Sequence, residues 1–148
     1  MPDVYRSKLL RLVANDLDPA EFTHRDHVGV AYEALAAHDF AEAVQRVYTG
    51  IRAMAARADV PQKANATITW AFMSLIAERM GTTQHTDAAN FISMNPDLCH
   101  AGAVARWYSP ERLGSDLARS VALLPDRAPS ACAVGRRSEP FPRRFGEA

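Results

Sequence analysis

Two histidines three residues apart, His24 and His27, are the side chains of this sequence best spaced to do chemistry. On a helix, positions i and i+3 share a face with Cβ atoms about 5–6 Å apart, close enough for two imidazoles to hold one metal ion. Placement in a first helical turn also favours the neutral ring that a metal needs, because the positive end of the helix dipole disfavours imidazolium. The chemistry would be that of one divalent ion (Zn, Fe, Mn or Cu) with a coordination position open to water or substrate, as in a metal-assisted hydrolase or lyase. The same spacing suits two hydrogen-bonded imidazoles with a purely structural role. The protein would then be a non-catalytic helical binding or interaction module.

A second element must come to the histidines for either reading. If the helices that follow are joined by short loops, they run up, down and up, so the helix opening at His24 and the one opening near Asn65 start at the same end of a bundle. Asn65 then lies near the histidines, Thr69 one turn deeper, and Lys63 in the adjoining loop. These three are the candidate substrate-binding residues, in a small polar pocket closed behind by Phe72 and by Trp70 or Ala31. Asn65 could serve as a weak oxygen ligand, as a hydrogen-bond partner of a small-molecule ligand, or as the helix cap, and the cap suits its position best. Glu78 lies about three turns further on, roughly 20 Å at 1.5 Å per residue, too far to share a metal with His24, and pairing with an arginine suits it better. His38, His85 and His100 fall in loops or at helix ends, and of these only His100 could fold back onto the site. Cys99 beside it reads as a small buried hydrophobe. The chain contains no P-loop, no glycine-rich dinucleotide turn and no Gly-x-Ser-x-Gly elbow, which argues against nucleotide-dependent and serine-hydrolase chemistry.

The segments Phe22-Thr23-His24-Arg25-Asp26-His27, Asn65-Ala66-Thr67-Ile68-Thr69-Trp70 and Leu75-Ile76-Ala77-Glu78-Arg79-Met80 resemble a group of small bacterial helical proteins with no agreed activity. In that group a Thr-His-x-x-His segment opens one helix and a His-Glu-Thr-Leu-Thr segment opens a later one. The likeness covers about residues 20 to 80 and, more loosely, 107 to 127. It implies a three-histidine site at the two helix starts. This chain departs from the pattern there, with Asn65 in the place of the third histidine and Ala66 in that of the glutamate. The departure weakens a metal site and removes the obvious general base.

The elements that must position these residues are readable from caps and periodicity. Leu9, Leu10, Leu12 and Val13 mark a short lead-in helix ended by Asn15-Asp16-Leu17-Asp18-Pro19. Thr23 is a good N-cap, Asp26 can answer it in an acidic form of the capping box, and Phe22 is placed to staple onto the first turns, so a helix is expected over 24–37. Asp39 caps a second helix, whose apolar residues recur at i, i+3, i+4 and i+7 to Ala58, and Val60-Pro61 breaks it. A third helix runs from Asn65 to about Met80, where Gly81 supplies the stop. Its apolar residues go nearly all round, which predicts a buried central helix. Shorter helices are expected over 86–94 and, after the cap Ser109 and first-turn Pro110, over 110–124, with a turn or two between.

These elements amount to an all-α protein, a compact bundle of about five helices over residues 1–125, followed by a proline-containing and mildly basic disordered tail over 126–148. Composition agrees: 148 residues suffice for one core, and alanine makes up about a fifth of the chain while glycine contributes only 7. Seventeen basic residues balance seventeen acidic ones, so no overall field exists to hold nucleic acid or an anionic membrane. That balance is the sum of a body with 12 basic and 14 acidic residues and a tail with five arginines against three acids. Cys99 and Cys132 form no disulfide or zinc pattern, and no apolar run approaches a membrane span, so a cytoplasmic protein is expected.

Overall fold

The computed structural model describes residues 3–127, and the chain from residue 128 on, with most of the expected tail and Cys132, lies outside the described residues. The fold is all-α. In chain order it consists of α1 (Val4–Val13), α2 (His24–Ala37), α3 (Phe40–Arg57), α4 (Ala66–Thr82), α5 (Ala88–Met94), α6 (Pro110–Leu113) and α7 (Asp116–Ser120), with single 3-10 turns at Pro19–Glu21, Pro61–Lys63 and Pro96–Cys99. Among the described residues no helix is long and apolar enough to cross a membrane.

Side chains set the helix boundaries. Asp39 Oδ1 accepts from the Glu42 N–H at 2.9 Å and starts α3. α1 and α3 end in Schellman motifs whose left-handed residues are Asn15 (φ 57°) and Asp59 (φ 59°). In the first, Asp16 N–H reaches Arg11 O and Asn15 N–H reaches Leu12 O, and in the second Val60 N–H reaches Ala55 O and Asp59 N–H reaches Ala56 O. Asp87 caps α5, so that helix starts at Ala88, two residues later than expected. Gly81 does not stop α4, which runs on to Thr82. The expected helix over 110–124 is two short ones, because the Ser115 hydroxyl accepts from Ala118 N–H and opens a new helix directly after Gly114.

α2 is the central element. It touches α1, α3, α4, α5 and the Pro96–Cys99 turn, and it can do so because Gly29, Ala31 and Ala34 let its neighbours come close. A Cβ on Gly29 would lie 2.1 Å from the Tyr5 ring of α1. α1 is accordingly part of the core and more than a lead-in: Leu9 and Leu12 are buried against α2 and α3. α4 is not the buried central helix that its composition predicts. Ile68 and Trp70 are 38% and 39% exposed, Trp70 standing on the outer surface edge-on to Tyr48 with ring centroids 6.5 Å apart.

The C-terminal part of the fold hangs on α4 through Thr67. Its hydroxyl proton is shared between Ala118 O (3.0 Å) and Val121 O (2.6 Å), while its oxygen accepts from Leu123 N–H at 3.0 Å. Asp126, at the expected start of the tail, is held by the Ser109 N–H and hydroxyl, and Tyr108 OH donates to Leu123 O. Thr67 is buried, so Thr67→Val keeps the shape but strands two carbonyls and one N–H. The expected outcome is a loss of about 2 kcal/mol in urea unfolding, on the scale of a buried hydrogen-bonded group left unsatisfied, together with faster proteolysis within residues 114–127.

Candidate functional site

The site begins at the start of α2. Thr23 Oγ1 accepts from Asp26 N–H at 3.3 Å, and Asp26 Oδ2 accepts from the Thr23 N–H and hydroxyl, both at 2.8 Å, completing the capping box. The other carboxylate oxygen pairs with Lys8 Nζ of α1 at 2.8 Å. Burial of Asp26 works to raise its carboxyl, but the Lys8 ammonium and the two Thr23 donors outweigh it and hold the group below the usual carboxylate range. This anchoring sets His24 as the first and His27 as the fourth residue of α2. Phe22, one residue before the cap, packs on the His27 ring with centroids 4.1 Å apart, so the staple closes onto a histidine.

The two imidazoles lie 6.0 Å apart, centroid to centroid. His24 is exposed and His27 half-buried. Burial, reinforced by the nearby His24 and only partly opposed by Asp26, pushes the His27 pKa down to about 4. At neutral pH His27 is therefore an uncharged ring with one donor and one acceptor nitrogen.

The start of α4 closes the site from the other side. Asn65 Oδ1 accepts from Ile68 N–H at 3.0 Å and caps the helix, while Nδ2 donates to Leu113 O at 2.8 Å and ties α4 to α6. Its amide is thus committed at both ends, and of its three candidate roles the cap is the one that the structure displays.

Between α2, α3, α4 and the segment after α5 lies a cavity of about 750 Å³. His24, His27, Lys63, Asn65 and Thr69 all line it. His100 also folds back onto it, with Phe72 and Ala31 in the wall; Trp70 takes no part. Val47, Ile51 and Met54 of α3 form much of the apolar wall, together with Leu98 and Val104. Periodicity marked the α3 residues as an apolar stripe, and nothing in it distinguishes a side chain packed on a neighbour from one that faces a void.

Among the described residues no group of three or more His, Cys, Asp or Glu side chains is placed to hold a metal ion, so the histidine pair acquires no third protein ligand of those types there. Glu78 is exposed and forms no ion pair among the described residues; Arg79 beside it takes Asp97 at 2.7 Å instead. His38 sits 3.4 Å from Glu42 and the His85 ring packs on Phe91 at 4.7 Å. Cys99 packs half-buried against the core, as a small hydrophobe would. Chemically the cavity offers a neutral imidazole, a hydroxyl and an ammonium above an apolar wall.

The depressed His27 pKa is a statement about stability. A histidine whose pKa falls from 6.5 to about 4 on folding contributes stability that is fully present above pH 6.5 and is lost as the pH falls through 4. Glu33, pushed up to about 7 by burial and by Asp3, works in the opposite direction, its contribution being lost as the pH rises from 4.5 through 7. Comparing variants separates the two. His27→Gln should flatten the fall in melting temperature between pH 6.5 and 4 relative to the unmodified protein, and the His27 ring proton followed by NMR should titrate near 4; a midpoint near 6.5 would contradict the burial argument. The chain matches no family model, no curated protein and no solved structure, which leaves the geometry of this cavity as the ground for its function.

Proposed function

We propose that this protein is a helical binding module that takes a small, mostly apolar molecule into the cavity between α2, α3 and α4, with His27 and Thr69 hydrogen-bonding its polar end. The observation that carries this reading is the cavity itself. At about 750 Å³ it falls within the range of small-molecule sites, about 300–1,000 Å³, and it has their character of an apolar wall with a few convergent polar groups. Thr69 is only 8% exposed and lines the cavity. No buried side-chain nitrogen or oxygen among the described residues lacks a partner, so polar atoms with no protein partner open onto accessible space that a ligand could fill. A cytoplasmic setting, where Cys99 stays reduced, suits such a module.

The test uses the uncharged fluorophore N-phenyl-1-naphthylamine. Saturable one-to-one binding at micromolar concentration is expected. Ala103→Trp, which inserts an indole from a half-buried position in the wall, should weaken that binding about tenfold or more with the melting temperature held within a few degrees. Absence of saturable binding to the unmodified protein would overturn the reading.

A metal-assisted hydrolase or lyase is the second reading, supported by one observation: two imidazoles 6.0 Å apart, one of them neutral at physiological pH. His24 and His27 would be the protein ligands, with water or substrate filling an open site. Zinc titration by calorimetry should then give one-to-one binding that disappears in the His24→Ala, His27→Ala double variant. Identical heats from both proteins would sink the metal.

A further inference from the structure

We infer that the ligand of this cavity is an anion, a small carboxylic acid with an apolar body, whose carboxylate lies at the end marked by Lys63 and His24. This rests on the binding-module reading and adds the charge and head group of the ligand. Three observations carry it.

The first is the sign of the lining. Lys63, His24 and His100 are exposed where they border the cavity, and among the described residues no aspartate or glutamate lines it. Residues 1–125 as a whole carry more acidic than basic side chains, 14 against 12, so the lining is opposite in sign to the body around it. A cationic ligand would find no counter-charge there, and a carboxylate would find an ammonium and imidazole donors.

The second is that the Lys63 side chain enters no ion pair among the described residues. The chain has two lysines. Lys8 is engaged, pairing with Asp26 at 2.8 Å and donating to Glu21 O at 2.7 Å. Lys63 enters no ion pair among the described residues, where the pairs involve Lys8, His38 and four arginines. It ends the Pro61–Lys63 turn, three residues before the first residue of the 17-residue helix α4, whose positive dipole end favours an anion on the same side of the cavity. Thr69, nine-tenths buried one turn inside α4 and lining the cavity, adds a hydroxyl donor.

The third separates carboxylate from phosphate. None of the fifteen arginines in the chain lines the cavity among the described residues, although the guanidinium fork is the usual means of gripping a phosphate. One lysine suits one negative charge. Beyond it the wall is aliphatic and aromatic, with Val47, Ile51, Met54 and Phe72, which calls for a hydrocarbon body.

Calorimetry with three ligands of equal chain length, octanoate, octan-1-ol and octylamine, tests the inference at pH 7.5 beside N-phenyl-1-naphthylamine. Octanoate is expected to bind about tenfold or more tightly than octan-1-ol, with octylamine weakest. Lys63→Gln, at an exposed position, should shrink the octanoate-to-octanol affinity ratio about tenfold, with an unchanged melting temperature showing that the fold is intact. Octanoate binding no tighter than octan-1-ol, while the fluorophore still binds, would overturn the anion and leave the binding module standing. Absence of binding by all four compounds would overturn both.

Discussion

The carboxylate of Asp26 is the point on which the arrangement depends. One oxygen takes two donors from Thr23 and the other takes the Lys8 ammonium, so a single side chain terminates the loop before α2, starts the helix and ties α1 to it. A buried carboxylate is tolerable only with this degree of compensation. Its effect reaches the site because the capping box allows one register, with His24 first and His27 fourth, and with Phe22 folded back over the His27 ring. A one-residue shift in the register of α2 against its neighbours would turn both imidazoles by about 100° about its axis.

The cavity follows from asymmetric packing around α2. On the side of α1, Gly29 admits the Tyr5 ring at a distance that any Cβ would forbid, and Leu9 and Leu12 fill the remaining space. On the side of α4, Ala31 and Met73 are buried in the core where the two helices meet, and the cavity opens at their border with Phe72 in its wall. Protein interiors are close-packed, so a space of this size persists only where its walls are held from behind. Asn65 anchors the start of α4 to Leu113, and Thr67 fastens it to the chain around α7. These polar tethers fix α4 to the C-terminal segment while its other side packs on α2.

Some of this was legible in the residues. Thr23 with Asp26, Asp39 and Asn65 each signal a helix start through an oxygen able to meet an orphan N–H, and all three act as caps. The partial coming together of His24, His27, Lys63, Asn65 and Thr69 was also readable, because short connections allow only one relative direction for α2, α3 and α4. The interior of the 110–124 stretch was not, since the competition between Ser115 as a cap and helix continuation is decided by where Leu113 and Ala118 find partners on α4. Nor was the exposure of Ile68 and Trp70. An apolar residue on every face of a helix shows what it can bury against, and only the neighbours present determine which faces are covered.

By itself, then, the sequence determined the helical class, the main helix starts and the end of the bundle at which the polar groups gather, because caps, periodicity and loop length are local and act over a few residues. The tertiary structure decided that α2 and not α4 is central, that His27 is buried enough to remain neutral, and that α2, α3 and α4, though in contact, leave a cavity between them. It also placed Lys63 at that cavity with no acid among the described lining residues. These are matters of which surfaces meet across distances along the chain that no local pattern encodes, and burial, electrostatics and empty space arise only once they have met.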